Sequence, residues 1–106
     1  MTREQLLEYH ADMTGEALQL MAAKSADYAN DDDAFTNFRQ AAALGICSAE
    51  LGVLIRMSDK LSRLAKIIGS GKVNVSSETL YDTAIDTINY SVIIAAMCDP
   101  NMRAAE

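Results

Sequence analysis

Helix breakers are scarce in this chain, and most of them fall at its joints. Its only proline is Pro100, so almost the whole length before it is free of the residue that removes a helical hydrogen bond and clashes with the preceding turn. The glycines that matter stand at Gly45 and at Gly69 and Gly71, and Ala, Leu, Met, Glu and Lys, which lose little entropy in a helix, fill much of the rest. Thr2 with Gln5 three residues on makes a capping box, which starts a first helix that fades near Ala26 to Tyr28. Gly15 weakens its middle without breaking it. Asn30 to Asp33 read as a loop, because short polar side chains compete for the backbone.

Asp33 then caps a shorter helix carrying Phe35, Phe38, Ala42 and Leu44, which Gly45 closes. Ser48 caps a third helix over residues 49–68, ended by Gly69, Ser70 and Gly71, with an apolar face of Leu54, Met57, Leu61, Leu64, Ala65 and Ile68. Lys72 to Val75 is too short for a strand. Ser76 or Ser77 caps a fourth helix that reaches Met97, its buried face lined by Leu80, Ala84, Ile85, Ile88, Val92 and Ala95. In the first helix the apolar stripe is Leu6, Leu7, Met13, Ala17, Leu18 and Met21. The expected fold is all-α, a compact four-helix bundle in one domain spanning residues 1–106, complete in itself or with a partner chain. A domain this small buries only about 60–65% of its unfolded surface, so a homo-oligomer is expected.

Charge and composition exclude several classes. The net charge of −6 and a pI near 4.6 do not suit direct nucleic-acid binding, which needs a basic stripe to displace counterions. No apolar run is long enough to span a membrane, and Met1 to Glu8 lacks the apolar core of a signal peptide. Cys47 and Cys98 match no metal-ligand spacing and read as two buried free thiols in a reducing cytoplasm, the expected location.

Two charged faces stand out. On the third helix Arg56, Asp59, Lys60 and Arg63 fall within about a quarter of the circumference, away from its apolar arc. Three cations in one stripe suit phosphate oxygens; the same spacing also suits a solvated face laced by i+3 and i+4 ion pairs. On the fourth helix Glu78, Asp82 and Asp86 recur every four residues and share a face with Asn89, with Tyr90 beside them. Stacked like charges cost a few tenths of a kcal/mol per pair, which a hard cation such as Mg²⁺ would relieve. Preference for the positive end of a helix accounts for Glu78 and partly for Asp82, but not for Asp86, more than two turns inside.

Lys24, Asp27, Tyr28, Asn37, Phe38 and Arg39 add cations and rings that suit a phosphate and a base, although Phe35 and Phe38 also suit plugging the end of a bundle. His10 reads as a surface histidine, no Ser or Cys has an evident partner base, and there is no P-loop.

The blocks Lys24-Ser-Ala-Asp27-Tyr28, Asn37-Phe38-Arg39, Gly52 to Leu64 and Glu78 to Tyr90 together resemble the nucleotide modification associated domain family of phages and bacteria. The chain is also distantly similar to the all-helical nucleoside triphosphate pyrophosphohydrolases of the MazG type, which hold Mg²⁺ on acidic residues of two helices. The resemblance implies a phage-encoded protein acting in the host cytoplasm on a small-molecule nucleotide. Glu78, Asp82 and Asp86 would hold Mg²⁺, and Asp59, Asp82 and Asp86 would serve catalysis. Lys24, Tyr28, Phe38, Arg39, Arg56, Lys60, Arg63, Asn89 and Tyr90 would contact the nucleotide. The chain departs from the MazG pattern on the third helix, where Arg56 and Asp59 stand in the spacing of an expected Glu-x-x-Glu pair. Three functions follow as alternatives: Mg²⁺-dependent hydrolysis of a nucleoside triphosphate or modified nucleotide, sequestration of a nucleotide without chemistry, and a bundle that only binds protein partners.

Overall fold

The capping box predicted at the N-terminus is formed reciprocally. The Thr2 N–H donates to Gln5 Oε1 at 2.8 Å and the Gln5 N–H donates to Thr2 Oγ1 at 3.1 Å, satisfying two N–H groups the first turn leaves without helical partners. Helix α1 runs from there over Arg3–Tyr28. The computed structural model describes residues 1–28, 34–71 and 80–103, with side chains for all of these except 25–28, 102 and 103. The loop at 30–33, the caps at Asp33 and at Ser76 or Ser77, and the 72–75 segment lie outside the described residues.

The second helical segment is broken in two: a 3-10 turn over Thr36–Phe38 and a single α turn, α2, over Gln40–Ala43. It ends as Gly45 predicts. Gly45 takes φ 76°, its N–H donates to Ala42 O, and the Ile46 N–H donates back to Ala41 O at 3.0 Å, the paired bonds of a Schellman stop. The Ser48 hydroxyl oxygen accepts from the Leu51 N–H and opens α3, Ala49–Ser70. Gly69 does not end this helix. The stop comes at Gly71, whose φ of 70° few side chains tolerate. Helix α4, Leu80–Cys98, follows, and Pro100 begins the single turn α5, Pro100–Arg103, where its missing N–H costs nothing.

The described residues are helical apart from short turns and ends, with no strand among them, and α1, α2, α3 and α4 pack as an all-α bundle. Helix α4 is its axis. It packs along α3 on one side and against α1 on the other, while no contact of similar extent joins α1 to α3 among the described residues. The core is correspondingly narrow: Ala49, Val53 and Met97 are buried, and Phe35, Phe38, Met57, Tyr90, Ile93 and Ile94 pack around them. Ala17 and Ile85 are the other buried apolar residues among those described, and Ala17 marks the close approach of α1 to α4, where Asn89 Nδ2 donates to its carbonyl at 3.0 Å.

Several residues assigned to buried faces lie elsewhere. On α3 the seam against α4 runs through Val53, Met57, Lys60, Leu64 and Ile67, while Leu54, Leu61, Ala65 and Ile68 are exposed. On α4 Val92 and Ala95 are exposed and Met97 is buried; on α1 Leu6, Leu7 and Leu18 are exposed. The apolar arcs are real but wider than one neighbour covers, so only the half that faces α4 is buried. The cysteines are free thiols as expected, but Cys47 is half-buried and Cys98 exposed rather than both buried. No helix is long and apolar enough to cross a membrane among the described residues.

Candidate functional site

A cleft of about 460 Å³ opens where α1, the 34–38 corner, α3 and α4 meet. The corner turns at this point because the 3-10 turn brings Phe35 and Phe38 against the end of the core. Helix periodicity then supplies the α4 wall: Asp86, Asn89, Ile93 and Ala96 recur every three or four residues on the side facing the corner, with Tyr90 beside Asn89. Arg56 enters from α3, and Met21 and Lys24 from the last turns of α1. The result is an apolar cleft with a few polar groups at one end, the usual composition of a small-molecule site.

The polar end is organised around Asp86. Its Oδ2 lies 3.0 Å from Lys60 Nζ and its Oδ1 lies 3.8 Å from Lys24 Nζ, so one carboxylate bridges cations from α3 and α1. Lys60 is 16% exposed and Asp86 22%, which makes theirs a sheltered pair, whereas Lys24 is 60% exposed. Arg56 stacks on Phe38, its guanidinium carbon 4.8 Å from the ring centroid. This contact engages the positive charge without consuming the N–H donors, which stay available to an anion. Among the described residues no carboxylate lies within ion-pair distance of Arg56. Among the described residues, Lys24 and Lys60 therefore flank one carboxylate and Arg56 lines the same cleft, so cations outnumber carboxylates there.

The sequence-predicted residues divide into three groups. Lys24, Phe38, Arg56, Asp86, Asn89 and Tyr90 line the cleft, and Lys60 meets it through Asp86. Asp59 and Arg63 do not line it: they pair with each other at 3.4 Å on the outer side of α3, the laced solvated face that their i+4 spacing allows. Arg39 stacks over Phe35, with 5.9 Å to the ring centroid, and Asp82 is exposed one turn before Asp86; neither lines the cleft. Glu78 and the side chain of Tyr28 lie outside the described residues. Met21, Ile93 and Ala96 escaped the sequence reading, although continuing the Asp86, Asn89 face by one more turn leads to Ile93 and Ala96.

The described residues are a poor fit to Mg²⁺. No three acidic, His or Cys side chains converge among them, and the two oxygens of Asp86 each face an ammonium group, where a cation would meet repulsion. Away from the cleft, Tyr9 and Tyr81 meet edge-on at 6.1 Å between α1 and α4. Desolvation, then a hydrogen bond to the Glu16 side chain and its negative charge, pushes the Tyr81 phenol up to about 12.

Compared with known protein families, curated proteins and solved structures, the chain matches none.

Proposed function

We propose that the cleft captures a phosphorylated nucleotide without cleaving it. The observation that carries this is the pairing of Lys24 and Lys60 with Asp86, together with Arg56, in an apolar cleft with Phe38 and Tyr90 in its walls, where Asp86 is the one carboxylate among the described lining residues. Arg56 and Lys24 hold the phosphate, by charge-assisted hydrogen bonds from the guanidinium and a point charge from the ammonium. Phe38, Tyr90 and the aliphatic wall of α4 take the base. Lys60 neutralises Asp86, so an incoming phosphate does not meet a bare carboxylate.

Capture is favoured over hydrolysis because two of the expected catalytic carboxylates are already matched with cations, Asp86 by Lys60 and Lys24 and Asp59 by Arg63. The resemblance to nucleotide-associated phage and bacterial domains agrees with the ligand class and leaves the outcome open. Incubating the protein with a panel of nucleotides, with and without Mg²⁺ and with EDTA, and weighing bound and released species by mass spectrometry decides the matter. Intact nucleotide recovered from an EDTA-insensitive complex is the expected result. Mg²⁺-dependent release of pyrophosphate or phosphate would establish the hydrolytic alternative instead, and no binding to any nucleotide would overturn both.

A further inference from the structure

The polar end of the cleft carries a small, countable charge. Among the described residues Lys24, Arg56 and Lys60 stand with Asp86, and three cations less one carboxylate leave a net of two positive charges. Lys60 Nζ and Asp86 Oδ2, 3.0 Å apart, offset one another. Lys24 and Arg56 remain to meet an anion, because Lys24 lies 3.8 Å from Asp86 Oδ1 with its ammonium largely exposed, and Arg56 rests on the Phe38 ring. The other polar lining residues, Asn37, Asn89 and Tyr90, are neutral, and one Asn89 N–H is already given to Ala17 O. The rest of the described wall is apolar, with Met21, Phe35, Val92, Ile93 and Ala96 in it. In the sequence, Asp31 to Asp33 precede the lining residue Ala34 and supply no further cation.

We propose that the cleft selects nucleoside monophosphates and discriminates by charge against di- and triphosphates. This rests on the reading of the cleft as a nucleotide site and narrows its ligand. A phosphate monoester carries about −1.5 to −2 at neutral pH, which Lys24 and Arg56 together offset. Arg56 supplies the planar fork of donors and Lys24 a point charge. Each further phosphate adds negative charge for which no described cation is left. That charge must lie against the apolar walls, where giving up water is costly, or in the field of a chain whose net charge is −6. A divalent cation brought in by the ligand finds little help, because Asp86, the one carboxylate among the described lining residues, already faces two ammonium groups. A bare nucleoside fails in the opposite way, since it gives Arg56 and Lys24 no anion to bind.

Isothermal titration of the full chain with the nucleoside, monophosphate, diphosphate and triphosphate of each common base, in EDTA, tests this. For the base that binds best, the monophosphate is expected to bind about tenfold tighter than either the triphosphate or the nucleoside. Two variants then separate charge from size. Val92→Lys adds a cation to the wall at a residue 53% exposed, and Asp86→Asn removes the local carboxylate. Each shifts the preference toward the longer phosphate chain, and Val92→Lys carries the test even where Asp86→Asn fails to fold. A triphosphate bound as tightly as the monophosphate overturns the selection and leaves nucleotide capture standing. A monophosphate preference that Val92→Lys does not narrow traces to size and overturns it as well. No binding by any member of the series overturns capture itself, and the selection with it.

Discussion

Lys60 on α3 and Asp86 on α4 form the shortest ion pair among the described residues, 3.0 Å, and they do so within the seam where the two helices pack. A charge in such a seam is tolerated because it is matched; removing one partner leaves the other sheltered and uncompensated. Lys60→Met and Asp86→Asn are each expected to lower stability by about 1–2 kcal/mol, less than for a fully buried pair because both side chains retain some contact with water. Replacing both by apolar residues, Lys60→Met with Asp86→Leu, recovers much of that loss. Urea unfolding of the four proteins measures the coupling.

The same pair separates capture from metal-dependent chemistry. Under capture, Asp86→Asn removes a negative charge beside the phosphate, so nucleotide affinity holds or rises. A site that needs Asp86 to hold Mg²⁺ loses binding or turnover instead. Isothermal titration with the nucleotide identified from the panel distinguishes the two.

Arg56 offers donors to the cleft while its charge rests on Phe38. Truncating it to Ala is expected to weaken nucleotide binding about 10- to 100-fold, the worth of one or two hydrogen bonds from a charged group. Arg56→Lys restores only part of the affinity, since the ammonium lacks the planar fork. Thermal unfolding without ligand should move little in either variant, because Arg56 is exposed.

Two glycines predict opposite signs. Gly71 has open space around its Cβ position but sits at φ 70°, so Gly71→Ala costs about 1 kcal/mol through the backbone alone. Gly15 also faces open space, within α1 and at an ordinary helical φ, so Gly15→Ala stabilises by about 0.5–1 kcal/mol. Denaturant midpoints of the two variants check the pair.

Tyr81 makes stability fall at high pH. Its phenol ionises near 10 in the unfolded chain and at about 12 in the fold. The folded state therefore favours the protonated form, and its advantage, complete below pH 10, is lost as pH rises toward 12. Tyr81→Phe should flatten the pH dependence of the unfolding free energy in that window.

Much of the fold was readable because local signals decide helix ends. Thr2 with Gln5, Ser48, Gly45 and Pro100 each act through bonds or clashes within a few residues, and each does what its chemistry requires. Which apolar residues are covered was not readable. Leu54 and Leu61 satisfy the helical repeat as well as Val53 and Lys60 do, and only the position of α4 decides between two seams about 110° apart. The site was legible to the same degree. Arg56 and Lys60 belong to one sequence stripe with Asp59 and Arg63, yet packing turns the first two toward the cleft and α4 and leaves the others paired outside. Asp86 stands out in the sequence as a carboxylate too far into its helix for the dipole to explain. Its lysine partners come from helices far away in sequence, so spacing alone had no access to them.

Among the described residues α1 and α3 each pack chiefly on α4 rather than on one another, which gives the cleft a mechanical meaning. Whatever fills it can touch both helices at once, together with the 34–38 corner, and so adds a brace to the one the Asp86 carboxylate makes between Lys24 and Lys60. Occupancy should slow hydrogen exchange most in the C-terminal half of α1, the part anchored to the rest through Ala17 and Asn89, and raise the melting temperature in proportion to the logarithm of ligand concentration.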